Sequence, residues 1–173
     1  ILEKISSRDH TEIMLKYLGA KISKKGEKIS LESPNFLKSR DIYIPGDFSS
    51  AAFLIVAGLI ISTSKITLKD VGLNYYRIGL IDVLKKMNAR INIKNKRKLN
   101  DEEIGDLEVF SSNLKGVSFA GKISPRMIDE YPIVFIAASF ASGTSVFKGL
   151  GELKVKESNR LKVMYETLKS VSY

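Results

Sequence analysis

Hydrophobic residues recur along the chain with the periods of helices and strands. Residues 49–61 are small and apolar on every side, which predicts a helix buried in the middle of a domain. Residues 64–71 alternate apolar and polar side chains, as strands do, and residues 77–87 carry one apolar side, which predicts an amphipathic helix. Shorter patterns predict strands at 90–94, 106–111 and 116–120, a basic turn at 96–101, and a solvated basic loop at 94–98.

This pattern repeats within the chain. An offset of 79 residues lays segment 51–60 on 130–139, and an offset of 69 residues lays segment 8–22 on 77–91. The recurring unit is therefore roughly 70–80 residues long, longer than a solenoid repeat and about the size of a small α/β subdomain. Its order of strand, helix, strand, helix, strand, strand predicts an α/β (α+β) fold, in which helices pack beneath a mixed sheet around a pseudosymmetric domain.

The first 43 residues have the pattern of the end of a preceding unit. Lys25 and Gly26 form a tight turn between segments 21–24 and 28–32. Pro45 and Gly46 are the candidate crossover between domains, because Pro fixes one backbone dihedral and Gly frees the next. The chain starts without Met or a signal-peptide pattern, and it stops where a helix should lead into a strand, so we expect a piece truncated at both ends.

Composition excludes several kinds of chemistry. The formal net charge of +9 indicates anionic partners, which include nucleic acid, acidic lipid headgroups and phosphorylated or carboxylated metabolites. The absence of Cys removes disulfides, thiolate nucleophiles and Cys-ligated zinc, and a single histidine, His10, disfavours a His-based metal site or a Ser-His-Asp triad. The longest apolar run, residues 51–61, is too short to span a bilayer.

The segment 151–160 carries the clearest candidate chemistry. Lys156 and Arg160 stand four residues apart and would share one face of a helix, with Glu157 one step round. Two cations and a carboxylate at a helix N-terminus could bind a phosphate and move a proton beside it. The alternative is a solvated helix start with internal salt bridges. The first copy of the repeat has Arg77 at the equivalent turn without the following Glu and Arg, so the unit does not require this set.

Four motifs in one order together resemble the 5-enolpyruvylshikimate-3-phosphate synthase family, and the resemblance covers the chain from Ile1 to Tyr173. The motifs are RDHTE at 8–12, IPGDFSSAAF at 44–53, IDEYP at 128–132 and ELKVKESNR at 152–160. The sister family, UDP-N-acetylglucosamine enolpyruvyl transferase, shares the architecture and has different signatures at the crossover and at the last motif. It remains an alternative.

The resemblance implies the enolpyruvyl transferase fold, a two-lobed inside-out barrel with three βαβαββ units in each lobe, of which this chain holds a part. Residues 1–43 would end the third unit of the shikimate-phosphate lobe, residues 44–46 would form the hinge crossover, and residues 47–173 would supply about half of the second lobe. The implied protein is a cytoplasmic monomer when full length, without cofactor or metal, that binds neither nucleic acid nor membrane.

The implied reaction transfers the enolpyruvyl group of phosphoenolpyruvate to the 5-hydroxyl of 3-phosphoshikimate, releasing phosphate, on the route to chorismate and the aromatic amino acids. It proceeds by addition to a tetrahedral intermediate and then elimination. Asp129 matches the carboxylate that binds the shikimate hydroxyls and accepts the 5-hydroxyl proton; alternatively it is the N-cap of a helix over 130–141. Arg8 matches a basic position in the 3-phosphoshikimate lobe, or is a surface arginine.

The last motif supplies the other implied roles. Lys156 matches a lysine beside 3-phosphoshikimate and the reacting carbon, where an ammonium neutralises phosphate and donates a proton. Glu157 matches a carboxylate that exchanges protons with the methylene carbon of phosphoenolpyruvate. Arg160 matches a phosphoenolpyruvate-binding arginine, since its planar fork suits a carboxylate or phosphate. Asn159 departs from the usual Asp of the family and removes one negative charge, a candidate support for Arg160.

Other residues are interpreted as structural. His10 caps or packs, Ser49 and Ser50 begin a buried helix, and Tyr75 and Tyr76 flank a turn. A nucleic-acid-binding module is the alternative from another class, but it would need cations interleaved with exposed aromatic residues. Other parts of the family's site cannot be located in this chain, so we expect the 173 residues alone to have negligible turnover.

Overall fold

The computed structural model describes residues 1–4, 6–33, 36–119 and 121–171. Its helices are α1 (His10–Tyr17), α2 (Phe48–Ile60), α3 (Gly79–Lys86), α4 (Tyr131–Ser139) and α5 (Arg160–Val171), with 3₁₀ turns at Gly121–Arg126 and Gly151–Lys154. Its strands are β1 (Ile22–Lys25), β2 (Lys28–Leu31), β3 (Lys65–Gly72), β4 (Arg90–Leu99), β5 (Glu102–Phe110), β6 (Ser118–Phe119) and β7 (Val146–Phe147).

The strands pair in three separate groups within the described ranges, where one mixed sheet was expected. The largest group is antiparallel, in the order β3-β5-β4, while β1 and β2 form an antiparallel hairpin and β6 pairs with β7 in parallel. Gly46 forms a parallel bridge with Val71. The parallel pair β6-β7 is two residues long, and neither strand pairs with a strand of the larger antiparallel sheet.

The predicted repeat is present in the order of elements. The bridge at Gly46 is followed by α2, β3, α3, β4 and β5, and the next copy begins β6, α4, β7, α5. The offset of 69 residues lays α1 on α3 from end to end, and the offset of 79 residues lays the last residue of α2 on the last residue of α4. The predictions of a helix at 49–61 and a strand at 64–71 are confirmed to within one residue at each end.

The predicted basic turn at 96–101 and basic loop at 94–98 are wrong, because β4 continues to Leu99. A bulge between Lys94 and Arg97, with Asn95 at φ +49°, lets the ladder with β5 resume, and β5 starts at Glu102. The true turn is Asn100-Asp101, whose φ values of +50° and +65° suit a two-residue hairpin. Because β4 is an edge strand, its lysines and arginines remain in water.

Two other predicted elements are shorter than expected. The amphipathic helix at 77–87 begins at Gly79, since the backbone N–H groups of Arg77 and Ile78 donate to the carbonyl of Asn74 in a turn. The strand predicted at 116–120 is limited to β6, and Ala120 lies outside the described residues.

The hydrophobic core lies between α2, α3, α4 and the inner face of the larger sheet. Leu80 and Leu84 of α3, Ile55 of α2 and Leu107 of β5 are each 0% exposed. Residues 1–43 contribute little to it, because among their described members only Ala20 is buried. No described helix is long and apolar enough to cross a membrane.

Helix α2 is not buried on all sides, contrary to the sequence prediction. Phe53 and Leu54 are 62% and 52% exposed, while Ala52 and Leu59 on the opposite side are fully covered. The three-stranded sheet and α4 pack against only part of the helix surface, so this apolar side faces solvent in the described chain.

The core position of α3 gives a stability prediction for the 173-residue chain. Leu80→Ala should lower the free energy of unfolding by about 2–5 kcal/mol, since it removes a fully buried side chain and leaves a cavity. The matched change Leu54→Ala, at a half-exposed position of α2, should cost less than about 1 kcal/mol. Urea denaturation followed by circular dichroism measures both; equal losses would contradict this placement of the core.

Candidate functional site

Three cations surround the carboxylate of Asp129. Arg8 donates from Nη2 to Oδ2 at 2.5 Å, Arg160 donates from Nη1 to Oδ1 at 3.3 Å, and Lys156 Nζ lies 3.9 Å from Oδ1. The Asp129 side chain is 30% exposed, so the group can still be reached from solvent. Four of the five residues that the sequence singled out therefore meet at one point, and the fifth, Glu157, is held by Arg160.

Asp129 lies in a short turn between a 3₁₀ segment and α4, and this turn is tightly packed. The Glu130 N–H donates to the Met127 carbonyl at 3.0 Å, and Met127 itself is 1% exposed. On one side α3 approaches so closely that a Cβ on Gly79 would lie 2.9 Å from the Cβ of Arg126. The turn that carries Asp129 is consequently held on the α3 side, through Arg126.

The alternative interpretation of Asp129 as a helix N-cap is wrong. The N-cap position of α4 is Glu130, whose side chain makes no capping hydrogen bond, and Pro132 near the helix start lacks an N–H that would need one. The Asp129 oxygens are directed at cations instead. This frees the carboxylate from a local backbone role.

The segment that carries the last motif is not one continuous helix, so Lys156 and Arg160 do not share a helix face as predicted. A 3₁₀ turn at Gly151–Lys154 is followed by bends, and α5 begins only at Arg160. The physical reason is Asn159, whose Oδ1 accepts from the Lys162 N–H at 3.1 Å and so caps the helix at that point. Lys156 reaches Asp129 from the loop and Arg160 from the first turn of the helix.

Asn159 therefore acts on the helix start, and Arg160 takes its support from other residues. Arg160 Nη2 donates to Glu157 Oε2 at 2.7 Å while Nη1 donates to Asp129. The hydrogen bond to Glu157, against some desolvation and with help from Asp129, raises the pKa of Arg160 above its ordinary value. A hydrogen bond from its own backbone and the Arg160 guanidinium lower the pKa of the exposed Glu157 carboxyl.

Lys156 has a second acidic neighbour that the sequence reasoning missed. Its Nζ lies 3.2 Å from Oε1 of Glu152, closer than to Asp129. The available signal was the spacing of four residues between Glu152 and Lys156, which brings side chains together even in a tight 3₁₀ turn followed by a bend. Glu152 is 59% exposed, so it can release the ammonium to an anionic ligand at small cost.

The charges around Asp129 decide its protonation state. Partial burial disfavours the ionised form, but the hydrogen bond and charge of Arg8, with the charges of Lys156 and Arg160, outweigh it and lower the pKa of Asp129. The carboxylate is therefore ionised at neutral pH, and it is a strong hydrogen-bond acceptor but a weakened base. Any ligand that displaces Arg8 would raise the basicity of this group.

Arg8 is brought to Asp129 by contacts of its neighbours. Asp9 Oδ1 accepts from Nδ2 of the buried Asn74 at 2.7 Å, and His10 Nδ1 lies 2.6 Å from Glu102 Oε1. Asn74 Nδ2 also donates to Glu102 at 3.2 Å. The start of α1 is thus held against the β3-α3 turn and the β4-β5 hairpin, and His10, which was expected to cap or pack, is exposed and pairs with Glu102.

Other candidate regions offer less chemistry. An apolar cavity of about 310 Å³ lies between α1, residues 42–48 and the end of β3, and its lining does not include Asp129 or the three cations around it. No group of three or more described His, Cys, Asp or Glu residues could hold a metal ion. In β4, Lys96 pairs with Glu103 and Arg97 pairs with Asp70.

The electrostatics of Asp129 can be tested in the 173-residue chain. Arg8→Gln should raise the pKa of Asp129, because the largest stabilising partner of the carboxylate is removed while its burial remains. Since a lowered pKa contributes stability that is lost as pH falls through it, the variant should also lose less stability on acidification. Carbon-detected NMR titration of the carboxyl measures the shift, with Arg97→Gln on the distant hairpin as the control. An unchanged Asp129 titration in Arg8→Gln would contradict this geometry.

Known proteins with the same sequence pattern share this arrangement of elements. A family model described as EPSP synthase (3-phosphoshikimate 1-carboxyvinyltransferase) matches residues 2–172. The chain is 45% identical over 171 residues to the 3-phosphoshikimate 1-carboxyvinyltransferase of Bacillus pumilus and 44% identical to that of Bacillus subtilis, covering 99% of this chain and 40% of each relative. An EPSP synthase structure from Acinetobacter baumannii superposes with a TM-score of 0.93 at 41% identity, over 97% of this chain and 38% of that one.

These likenesses confirm the predicted resemblance and fold class, and they do not favour the UDP-sugar transferase alternative. The structure comprises part of the enolpyruvyl transferase fold. The chain spans about 40% of the length of the curated relatives that it matches.

Proposed function

The chain belongs to the EPSP synthase family, and on that premise we propose that the whole protein is a 3-phosphoshikimate 1-carboxyvinyltransferase. It transfers the enolpyruvyl group of phosphoenolpyruvate to the 5-hydroxyl of 3-phosphoshikimate and releases phosphate. The observation that carries this proposal is the Asp129 carboxylate with Arg8, Lys156 and Arg160 around it. Both substrates are anions, and 3-phosphoshikimate also presents hydroxyls that a carboxylate can orient or deprotonate.

Asp129 binds the hydroxyls of 3-phosphoshikimate. In the described arrangement Arg8 donates to Oδ2 and lowers the pKa of the Asp129 carboxyl. A carboxylate with a lowered pKa accepts a hydrogen bond from an alcohol more readily than it removes the alcohol's proton. When 3-phosphoshikimate binds, its hydroxyl contacts Asp129 and its phosphate contacts Arg8. The ion pair between Asp129 and Arg8 then separates. The carboxylate then becomes basic enough to accept the 5-hydroxyl proton as the oxygen attacks C2 of phosphoenolpyruvate.

Arg160 binds phosphoenolpyruvate, and Lys156 lies beside 3-phosphoshikimate and the reacting carbon. The guanidinium already binds two carboxylates, which is the kind of planar contact that a carboxylate or phosphate ligand can replace. Lys156 is 25% exposed, and its ion-pair partners among the described residues are Glu152 and, at longer range, Asp129. Its ammonium can therefore neutralise charge on the tetrahedral intermediate and assist departure of phosphate.

Glu157 exchanges the proton at the methylene carbon. In the addition step the carboxyl group supplies a proton to that carbon, and in the elimination step the carboxylate takes one back while the C2–O bond to phosphate breaks. Its side chain is 77% exposed and lies beside Arg160. Because its pKa is lowered in this arrangement, the group needs a bound substrate and closure over it to carry a proton at neutral pH.

The proposal extends to the division of the chain into lobes. Residues 1–43 belong to the 3-phosphoshikimate lobe, 44–46 to the crossover and 47–173 to the second lobe. Supporting this, α1 has no buried residue, and its neighbours contact the rest through polar pairs such as Asp9 with Asn74 and His10 with Glu102. Contacts of this kind can break and re-form when lobes close over substrates.

The whole protein is proposed to be a cytoplasmic monomer that needs no cofactor and binds neither nucleic acid nor membrane. The 173-residue chain alone is expected to have negligible turnover, since it spans about 40% of its relatives' length. Its excess positive charge is compatible with nucleic-acid binding, but two of the cations on the basic strand pair with Glu103 and Asp70. A filter-binding assay with a salt titration separates the enzyme from a nucleic-acid-binding module. A steep fall of RNA or DNA affinity with salt would favour the binding module.

The enzyme proposal is tested by phosphate release from phosphoenolpyruvate in the full-length protein. Release should require 3-phosphoshikimate and should not occur with UDP-N-acetylglucosamine. Lys156→Gln should lower kcat by about 10²–10⁴-fold, because it removes a charge and a proton donor from the reacting centre. The matched change Lys162→Gln, at an exposed lysine of α5, should leave kcat unchanged.

Two results would overturn the proposal. One is phosphate release with the UDP-sugar in place of 3-phosphoshikimate. The other is a full-length protein whose Lys156→Gln variant turns over as fast as Lys162→Gln, which would remove the Asp129 cluster from the reaction.

A further inference from the structure

Next to Asp129 lies a buried acidic residue that the reaction does not use. Glu130 is 3% exposed, and its Oε1 accepts a hydrogen bond from Ser49 Oγ at 2.5 Å. Ser49 in turn accepts from Arg77 Nη2 at 2.6 Å, and the same Nη2 lies 3.4 Å from Asp47 Oδ1. A chain of polar groups thus runs from the start of α4 to the start of α2 and on to the turn before α3.

This chain of hydrogen bonds joins the two copies of the repeat at their equivalent ends. Ser49 is the second residue of α2, whose N-cap Asp47 accepts from the Ser50 N–H at 2.7 Å. Glu130 directly precedes α4, and Arg77 is the counterpart of Lys156 in the first copy. Stability alone does not call for such a network, because well-packed apolar side chains commonly replace buried charged groups without loss.

The network fixes how the starts of α2 and α4 are oriented relative to each other. A short hydrogen bond fixes both the distance and the angle between two helix starts, whereas apolar packing tolerates sliding. Glu130 and Asp129 are joined by a single peptide unit, so a backbone movement at the start of α4 that follows loss of the Glu130 contact also moves Asp129 relative to Arg8 and Arg160. Tyr131, the residue after Glu130, is 1% exposed, and its OH lies 2.9 Å from Ser124 Oγ.

We propose that Glu130 is a positioning residue for enolpyruvyl transfer: through Ser49 and Arg77 it holds the start of α4 against α2 and so places the carboxylate of Asp129. This inference rests on the proposed function. The hydrogen bond between Glu130 and Ser49 fixes the position of the helix start, and the negative charge of Glu130 is not needed for this. An amide can occupy the same place, since it offers an acceptor to the Ser49 hydroxyl.

The test compares Glu130→Ala with Glu130→Gln in the full-length protein. Glu130→Ala should lower kcat by about 10–100-fold, because a misplacement of order 1 Å at a reacting group has that effect. KM for phosphoenolpyruvate should change by less than about threefold, since Arg160 is not moved by this contact. Glu130→Gln should keep kcat within about threefold of wild type, and the control Glu166→Ala, at an exposed position of α5, should match wild type.

A second variant guards against loss of folding. Ser49→Ala removes only a hydroxyl, should lower kcat in the same direction as Glu130→Ala, and should combine with it non-additively, because both changes break one connection. A folded Glu130→Ala protein with wild-type kcat, or a Glu130→Gln variant as slow as Glu130→Ala, would overturn the inference. If Glu130→Ala does not fold, a wild-type kcat in Ser49→Ala overturns it. A full-length wild type without synthase activity overturns the proposed function, and this inference with it.

Discussion

The carboxylate of Asp129 holds the site together, because three cations from three parts of the chain depend on it. Arg8 precedes α1, Lys156 lies in the loop after a 3₁₀ turn, and Arg160 opens α5. Without the carboxylate these cations would repel one another at short range. With it they form a cluster that is partly open to solvent, in which the exposed carboxylates of Glu152 and Glu157 balance Lys156 and Arg160 and can be replaced by an anionic ligand.

The repeated unit explains how so small a part of the fold can present this cluster. In each copy a helix is followed by a strand, and the turn after that strand returns to the start of the helix. The start of α2 therefore lies beside Arg77, and the start of α4 lies beside Lys156. In the first copy the cation pairs with Asp47 and Ser49, and the contacts are structural. In the second copy the cations face a carboxylate that solvent can reach. One architecture thus provides both a rigid junction and a charged cluster that solvent can reach.

Sequence periods predicted the helices and the repeat, and the family resemblance implied the residues that meet at Asp129, but neither predicted the local geometry that brings them together. Lys156 and Arg160 were assigned to one helix face, since nothing in their spacing reveals that Asn159 caps the helix between them. The bulge at Asn95 was equally invisible, because a polar edge strand has the composition of a turn. Glu130 was missed for a third reason: its partner Ser49 is distant in sequence, and its burial follows from packing between two repeats.

A crystal structure of the full-length protein with 3-phosphoshikimate and phosphoenolpyruvate, trapped by the Lys156→Gln change, tests the central claim most directly. We expect a shikimate hydroxyl within hydrogen-bond distance of Asp129, the 3-phosphate contacting Arg8, and phosphoenolpyruvate against Arg160. Substrates bound elsewhere, with the Arg8 to Asp129 pair still closed, would contradict the account.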